Sequence, residues 1–242
     1  MIKNIKKGFL TVGLAASVAL SGCASNPNNP EVSDPFESYN RVVFGWNDTV
    51  DAVALDPLTE TYRFVVPSPF RTAIANFLDN LKSPVYLINE LLQGDLNGAG
   101  RVTTRFVYNT FGGWGGFVDN AEFDGIDYEP EDFGQTLAVW GVDSGPYIVL
   151  PIFGPSTIRD GFGMAADMAL DPINWYVWEQ DKDDIGTIRT AATVMTTKDQ
   201  LMDLQRDLRE NSLDYYAATR SVWLQRRQSL INDGQIDDYE DF

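Results

Sequence analysis

The sequence contains no histidine and a single cysteine. Without an imidazole, Ser-His-Asp and Cys-His catalysis lose their general base. A zinc enzyme is equally disfavoured, because its usual nitrogen ligand is missing. One cysteine forms no disulfide within the chain. Positive charge is scarce as well: 18 Lys and Arg stand against 35 Asp and Glu, a formal net charge of −17. Nucleic acid and anionic lipid surfaces would repel so acidic a chain, so neither is an expected partner through charge. Beyond the N-terminus, no apolar run approaches the ~20 residues that cross a bilayer as a helix. No P-loop is present, so the chain carries no nucleotide motor of its own.

Several local patterns approach known sites and fall short. Ser156 sits in "GPSTI", which lacks the second glycine of a nucleophile elbow. "DKDDIG" at 181–186 opens like a calcium loop, but its twelfth position is Ala192 and not glutamate. "GFGMAA" at 161–166 fits a dinucleotide fingerprint without the βαβ unit that gives it meaning; close helix packing explains its glycines. Glu129, Glu131 and Asp132 near Gln135 resemble a glycosidase carboxylate pair. Capping of the following helix by Glu131 and Asp132 is the simpler reading.

What is present begins with "MIKNIKKGFLTVGLAASVALSGCAS". Lys3, Lys6 and Lys7 precede an apolar stretch from Gly8 to Leu20, too short to span a bilayer but suited to a secretory signal. It ends in Leu20-Ser21-Gly22-Cys23, which resembles a bacterial lipobox. The expectation is a signal peptide over 1–22, acylation of Cys23, and a polar Asn/Pro tether over 23–33. Ala24 stands where retained inner-membrane lipoproteins carry Asp, which implies sorting to the outer membrane. The acyl chains, at ~0.8 kcal/mol per buried CH₂, make a lasting anchor. No other cofactor is expected.

The helical domain is expected over 34–231, followed by an acidic tail over 232–242. Asp34 and Glu37 frame a start with Pro35 at the first helical position. Phe36, Tyr39, Val43, Trp46, Val50 and Val53 form an apolar stripe, ended by Asp56-Pro57. A second helix over 70–93 buries Ile74, Phe77, Leu78, Leu81, Val85, Ile88, Leu91 and Leu92, with a kink or break at Pro84. A third covers roughly 97–110. A short helix is expected over 136–140, one capped at Ser156, and two or three pieces from Asp183 onward. No period-2 pattern marks a strand, so the fold class is all-α with Gly/Pro-rich loops.

"GVDSGPYIVLPIFGPS" stands apart as an apolar hairpin. Tyr147, Ile148, Val149, Leu150, Ile152 and Phe153 would each gain roughly 1.5–3 kcal/mol by burial. Extended, the run reaches only ~23 Å, short of the ~30 Å hydrocarbon core. It would dip into a bilayer, line a groove, or sit as a buried strand, with Gly141, Gly145 and Gly154 as pivots. Trp175, Tyr176 and Trp178 fit either a membrane interface or a packed core.

The motifs "DPFESYNRVVFGWN", "NLKSPVYLINELLQGD", "RFVYNTFGGWGGFVDNA", "EDFGQTLAVWGV", "GPYIVLPIFGPSTIRD" and "DPINWY" occur in this order. Over about residues 34–180 the chain thereby resembles the MlaA/VacJ outer-membrane lipoproteins. The resemblance implies a ring-like arrangement of amphipathic helices around a channel, held in the inner leaflet beside a trimeric porin. It implies passage of phospholipids misplaced in the outer leaflet to a soluble periplasmic carrier, with no enzyme activity. It maps the gate onto Gly141–Gly154. Asn80, Asn89, Gln93, Arg105, Asn109 and Arg159 are the candidate channel-lining residues, with Arg159 or Asp160 at the base of the hairpin. Arg105 would suit a phosphate or a structural ion pair. The alternative is a lipid-anchored scaffold that binds porins without transport.

Overall fold

The computed structural model describes residues 33–180 and 182–234. The signal peptide, Cys23, the tether up to Val32 and the tail beyond Gly234 lie outside the described residues. The elements in chain order are α1 (Glu37–Val50), a π turn (Asp51–Leu55), α2 (Asp56–Val65), α3 (Ser68–Gln93) and α4 (Leu96–Val107). A second π turn (Tyr108–Gly112), α5 (Asn120–Phe123) and α6 (Phe133–Val139) follow. Then come β1 (Tyr147–Leu150), β2 (Gly154–Thr157), α7 (Ile158–Leu170), α8 (Pro172–Glu179), α9 (Asp183–Asn211) and α10 (Tyr215–Ile231). Among the described residues the fold is all-α apart from the antiparallel pair β1–β2, in which Tyr147 faces Thr157 and Leu150 faces Gly154.

Short polar side chains start many of these helices. Asp95, Asp119, Asp132, Thr157, Asp171 and Asp214 each accept a backbone N–H of the first turn, satisfying donors the helix leaves open. Thr157, not Ser156, caps α7. Asp132, not Thr136, sets the start of α6, so that helix begins earlier than its apolar run. Asp34 does not cap α1 with its side chain; its carboxylate receives Asn40 Nδ2 (2.7 Å) and the Tyr216 hydroxyl, tying α1 to α10.

Two expected breaks are absent. The first helix does not stop at Asp56-Pro57 but widens into the π turn and resumes as α2. Pro57 lies in the first turn of α2, where its missing N–H costs little, and the widened turn carries the backbone past it. Nor does Pro84 break α3, which runs on to Gly94, a left-handed cap with φ of 82°. α3 packs along α4, α6 and α9, and that packing outweighs the ~3 kcal/mol an interior proline costs.

Contacts between helices close a circuit: α3 to α6, α6 to α7, α7 to α8, α8 to α9, and α9 back to α3. α9 is pinned to the α1–α2 segment by ion pairs, Arg209 with Asp48, Lys198 with Asp51 (3.0 Å) and Asp56 (2.9 Å), and Arg63 with Asp199 and Asp203. α10 joins α6 and α7 through Arg227, which bridges Asp132 (2.5 Å) and Asp160 (2.9 Å).

The burial pattern is inverted relative to a water-soluble globule. Asn40, Thr59, Asn89, Gln135 and Thr136 are among the most deeply buried side chains. Phe64, Phe70, Phe111, Trp114 and Phe123 are largely exposed. Much of the α1 stripe faces outward: Tyr39, Trp46 and Val53 are exposed, as are Leu91 and Leu92 at the end of α3. A surface with this much apolar area is unfavourable in water and favourable against hydrocarbon.

Candidate functional site

The hairpin is held from one side by α1. Asn40 donates from Nδ2 to the Tyr147 carbonyl (3.1 Å) and accepts the Val149 N–H on Oδ1 (2.8 Å). Asn47 repeats the arrangement with the Leu150 carbonyl (3.0 Å) and the Ile152 N–H (2.8 Å). A primary amide carries one acceptor and two donors, so each asparagine substitutes for a missing neighbour strand. Tyr147 and Val149 are fully buried. The Tyr147 ring packs edge-on to Trp223 (5.9 Å) and Tyr216 (6.3 Å), both from α10.

The other end of the hairpin is different. Ile152 is 75% exposed and Phe153 58% exposed, and Ile152 holds a positive φ of 71°. Ile148 and Leu150 lie half-buried. Gly141, Gly145 and Gly154 are all left-handed, with φ of 84°, 66° and 79°, a region costly for residues with a Cβ. At the base, Arg159 donates to Asp160 (3.0 Å) and towards the Val142 carbonyl (3.4 Å). The alternatives left open by the sequence thus apply to different parts: the strand is buried, and the tip is an apolar projection.

A polar cavity of about 290 Å³ lies between α3, α4 and residues 119–129. It gathers three of the six candidate lining residues, Asn80, Arg105 and Asn109. Asn80 donates to Thr110 Oγ1 (3.0 Å). Arg105 forms an ion pair with Asp119 and donates to the Ile126 carbonyl. Asn109 donates to Asp119 (2.9 Å) and accepts the Ala121 N–H (3.0 Å).

Asn89 and Gln93 belong instead to a network joining α3, α6 and α7. Asn89 donates to Asp167 (2.9 Å) and accepts from Thr136 (2.9 Å), while Gln93 donates to Glu131 (2.6 Å). Arg159 sits at the hairpin base, apart from both. Burial pushes the Glu131 carboxyl up to about 8, against the opposing hydrogen bond from Gln93. Asp167 is raised to about 6 by burial, despite donors from Phe133 and Asn89. The cap of α6 is Asp132, which accepts the Gln135 N–H (2.9 Å), while Glu131 is turned to Gln93. Trp175, Tyr176 and Trp178 lie on α8 and are exposed, at 62%, 51% and 63%.

The chain as a whole is similar to known proteins. The sequence profile described as MlaA lipoprotein matches residues 32–230. The chain belongs to the MlaA lipoprotein family. It is 35% identical over 222 residues to the "Intermembrane phospholipid transport system lipoprotein MlaA" of Shigella flexneri, covering 90% of this chain and 86% of that one. The Haemophilus influenzae protein of the same name is 32% identical over 243 residues, covering 96% and 94%. A solved chain described under "Structural basis for maintenance of bacterial outer membrane lipid asymmetry" superposes with a TM-score of 0.70 at 35% identity. That match covers 83% of this chain and all of the other.

In this MlaA family member, the residues that sequence reasoning missed are Asn40 and Asn47. Their signal was present: two asparagines two helical turns apart interrupt an otherwise apolar segment. The cavity acids, Glu90 above all, were passed over because they are scattered among helix positions that read as solvent-facing.

Proposed function

We propose that this chain is an outer-membrane lipoprotein that removes phospholipids misplaced in the outer leaflet. It passes them through an amphipathic channel to a soluble periplasmic carrier and so maintains lipid asymmetry. The observation that carries the reading is the burial pattern: many large apolar side chains face outward while asparagines, threonines and ion pairs share the interior with a small apolar core. Such a body is at home in a leaflet, and its polar interior suits a lipid head group. The family relatives, whose names describe intermembrane phospholipid transport, support the same reading.

Acylation of Cys23 anchors the chain in the inner leaflet of the outer membrane, facing the periplasm. The exposed aromatics Trp175, Tyr176 and Trp178 lie at the lipid–water boundary. A trimeric porin scaffolds the protein there. The hairpin from Gly141 to Gly154 gates the channel, moved by its glycine pivots. No bond is made or broken in the process, and directionality is borrowed from partners.

The test is the amount of phospholipid exposed on the cell surface after deletion of the gene, with complementation by the intact protein and by Cys23→Ala. Transport requires that exposure rise on deletion and that only the lipidated form restore it. Unchanged exposure with defective porin assembly would leave a scaffold in its place.

A further inference from the structure

The cavity between α3 and α4 is acidic beyond what its own arginines neutralise. Arg105 is paired with Asp119, and Arg101 with Glu129. Glu90, Glu122 and Asp127 also line the walls and form no ion pair with either arginine. Glu90 is only 4% exposed, and its carboxylate lies where a side chain at Gly98 would otherwise stand. It forms no ion pair among the described residues, and burial raises its carboxyl to about 7 against the nearby charge of Arg101.

At the opposite end is an unmet acceptor. Asn80 is 7% exposed; its Nδ2 is used by Thr110, and its Oδ1 has no partner among the described residues. A buried carbonyl without a donor costs about 1–3 kcal/mol. Asn80 and Glu90 sit on the same helix, and ten residues at 1.5 Å rise place them ~15 Å apart. Between them the wall changes character. Tyr86 and Tyr128, whose hydroxyls bond each other at 3.1 Å, lie there with Val102 and Ile126.

The acids are spread along this length and nowhere gather into a group able to hold a metal ion among the described residues. The pattern is acceptor, aromatic and aliphatic wall, then acceptor. It matches an aliphatic chain bearing ammonium groups towards both ends: each ammonium brings three donors, and the methylenes pack on the tyrosine rings. We propose that this cavity binds a linear polyammonium ligand, one end at Asn80 and the other at Glu90. A phospholipid head group fits less well, because it offers only one ammonium to two acceptors. The inference stands on the cavity itself and is independent of whether the chain transports lipid.

The experiment is calorimetric titration of the full lipidated protein in a neutral detergent, at fixed ionic strength, with spermidine, with butylamine, and with short-chain phosphatidylethanolamine. Spermidine should bind saturably and about tenfold or more tightly than butylamine. Glu90→Gln should weaken spermidine by about tenfold, and Glu122→Gln, at the open rim, by a smaller factor with the fold undisturbed. Equal affinity for spermidine and butylamine would overturn the proposal, as would unchanged spermidine binding in a folded Glu90→Gln variant. Displacement of spermidine by phosphatidylethanolamine but not by phosphatidylglycerol would also overturn it, assigning the cavity to a single head-group ammonium. Should Glu90→Gln not fold, the Glu122→Gln effect and the spermidine-to-butylamine ratio decide alone.

Discussion

Asn40 and Asn47 stand two turns apart on one face of α1, and each closes a pair of hydrogen bonds on the same strand, Asn40 at Tyr147 and Val149, Asn47 at Leu150 and Ile152. A helix thereby serves as the neighbour strand that the two-stranded hairpin lacks. The two clamps differ in depth: Asn40 is fully buried, whereas Asn47 is half-buried near the exposed tip.

That difference sets unequal costs. Asn40→Ala leaves a buried carbonyl and a buried N–H unpaired and should lower stability by about 2–4 kcal/mol. Asn47→Ala should cost about 1 kcal/mol, because water reaches the freed groups, while faster amide exchange at Ile152 reports a looser tip. Chemical denaturation and hydrogen exchange check both; equal costs would mean the hairpin is held by its side chains alone.

The hairpin glycines separate strain from crowding. A Cβ at Gly141 or Gly154 meets nothing within 4 Å, so alanine there suffers only from the left-handed backbone, about 1–2 kcal/mol. At Gly145 the new Cβ also lies 3.3 Å from Ile158, so Gly145→Ala should be the most destabilising of the three. Melting curves of the three variants establish the order.

Three carboxyls make stability depend on pH. Burial raises Glu131 to about 8, Glu90 to about 7 and Asp167 to about 6. Each folded value exceeds the unfolded one, so the unfolded chain binds fewer protons in this range. The stability these groups contribute is complete below about pH 4 and is lost as pH rises towards 8. Glu131→Gln should flatten the decline between pH 6 and 8. A decline of unchanged steepness in that variant would remove Glu131 from the account.

Arg227 joins three elements at one point, held by Asp132 and Asp160. Arg227→Met keeps bulk but leaves Asp160, 8% exposed, with Arg159 as its remaining ion partner and Asp132 with only its helix-cap donor, and should cost about 1–3 kcal/mol. Restoring neutrality with Asp160→Asn in the same chain should recover part of the loss, a coupling visible in a double-mutant cycle.

If the α8 aromatics sit at the lipid boundary, Trp175→Ser and Trp178→Ser should change stability in detergent by no more than about 0.5 kcal/mol. Both should reduce fluorescence quenching by brominated lipids in vesicles. Quenching that persists in the double variant would place other tryptophans, such as Trp46 or Trp114, at that depth.

Helix positions were largely legible in the sequence, because capping aspartates and glycine stops act locally. Which face of each helix turns inward was not. The spacing of Tyr39, Trp46 and Val53 marks a stripe, but a stripe alone does not say whether it faces a core or lipid, since the rule that apolar residues avoid water presumes water outside. The breaks at Pro57 and Pro84 were misplaced for a related reason: a proline's cost is local, while the packing that offsets it is not. The hairpin's identity was legible from its glycines and apolar run. Its clamp was not, since Asn40 and Asn47 lie more than a hundred residues away in sequence. Asn80, Arg105 and Asn109 line one cavity, but nothing in the spacing told that Asn89 and Gln93, on the same helix as Asn80, turn to a different set of partners.

The π turn at Asp51–Leu55 adjusts the phase of everything beyond it. In an unbroken α-helix, Thr59 would lie about 120° around from Asn47. One extra residue in the widened turn takes back about 100° of that rotation, returning Thr59 to the line of Asn40 and Asn47; Asn40 and Thr59 are both fully buried. The insertion therefore keeps a single polar seam, Asn40, Asn47 and Thr59, running along one edge of a helical segment long enough to drift out of alignment.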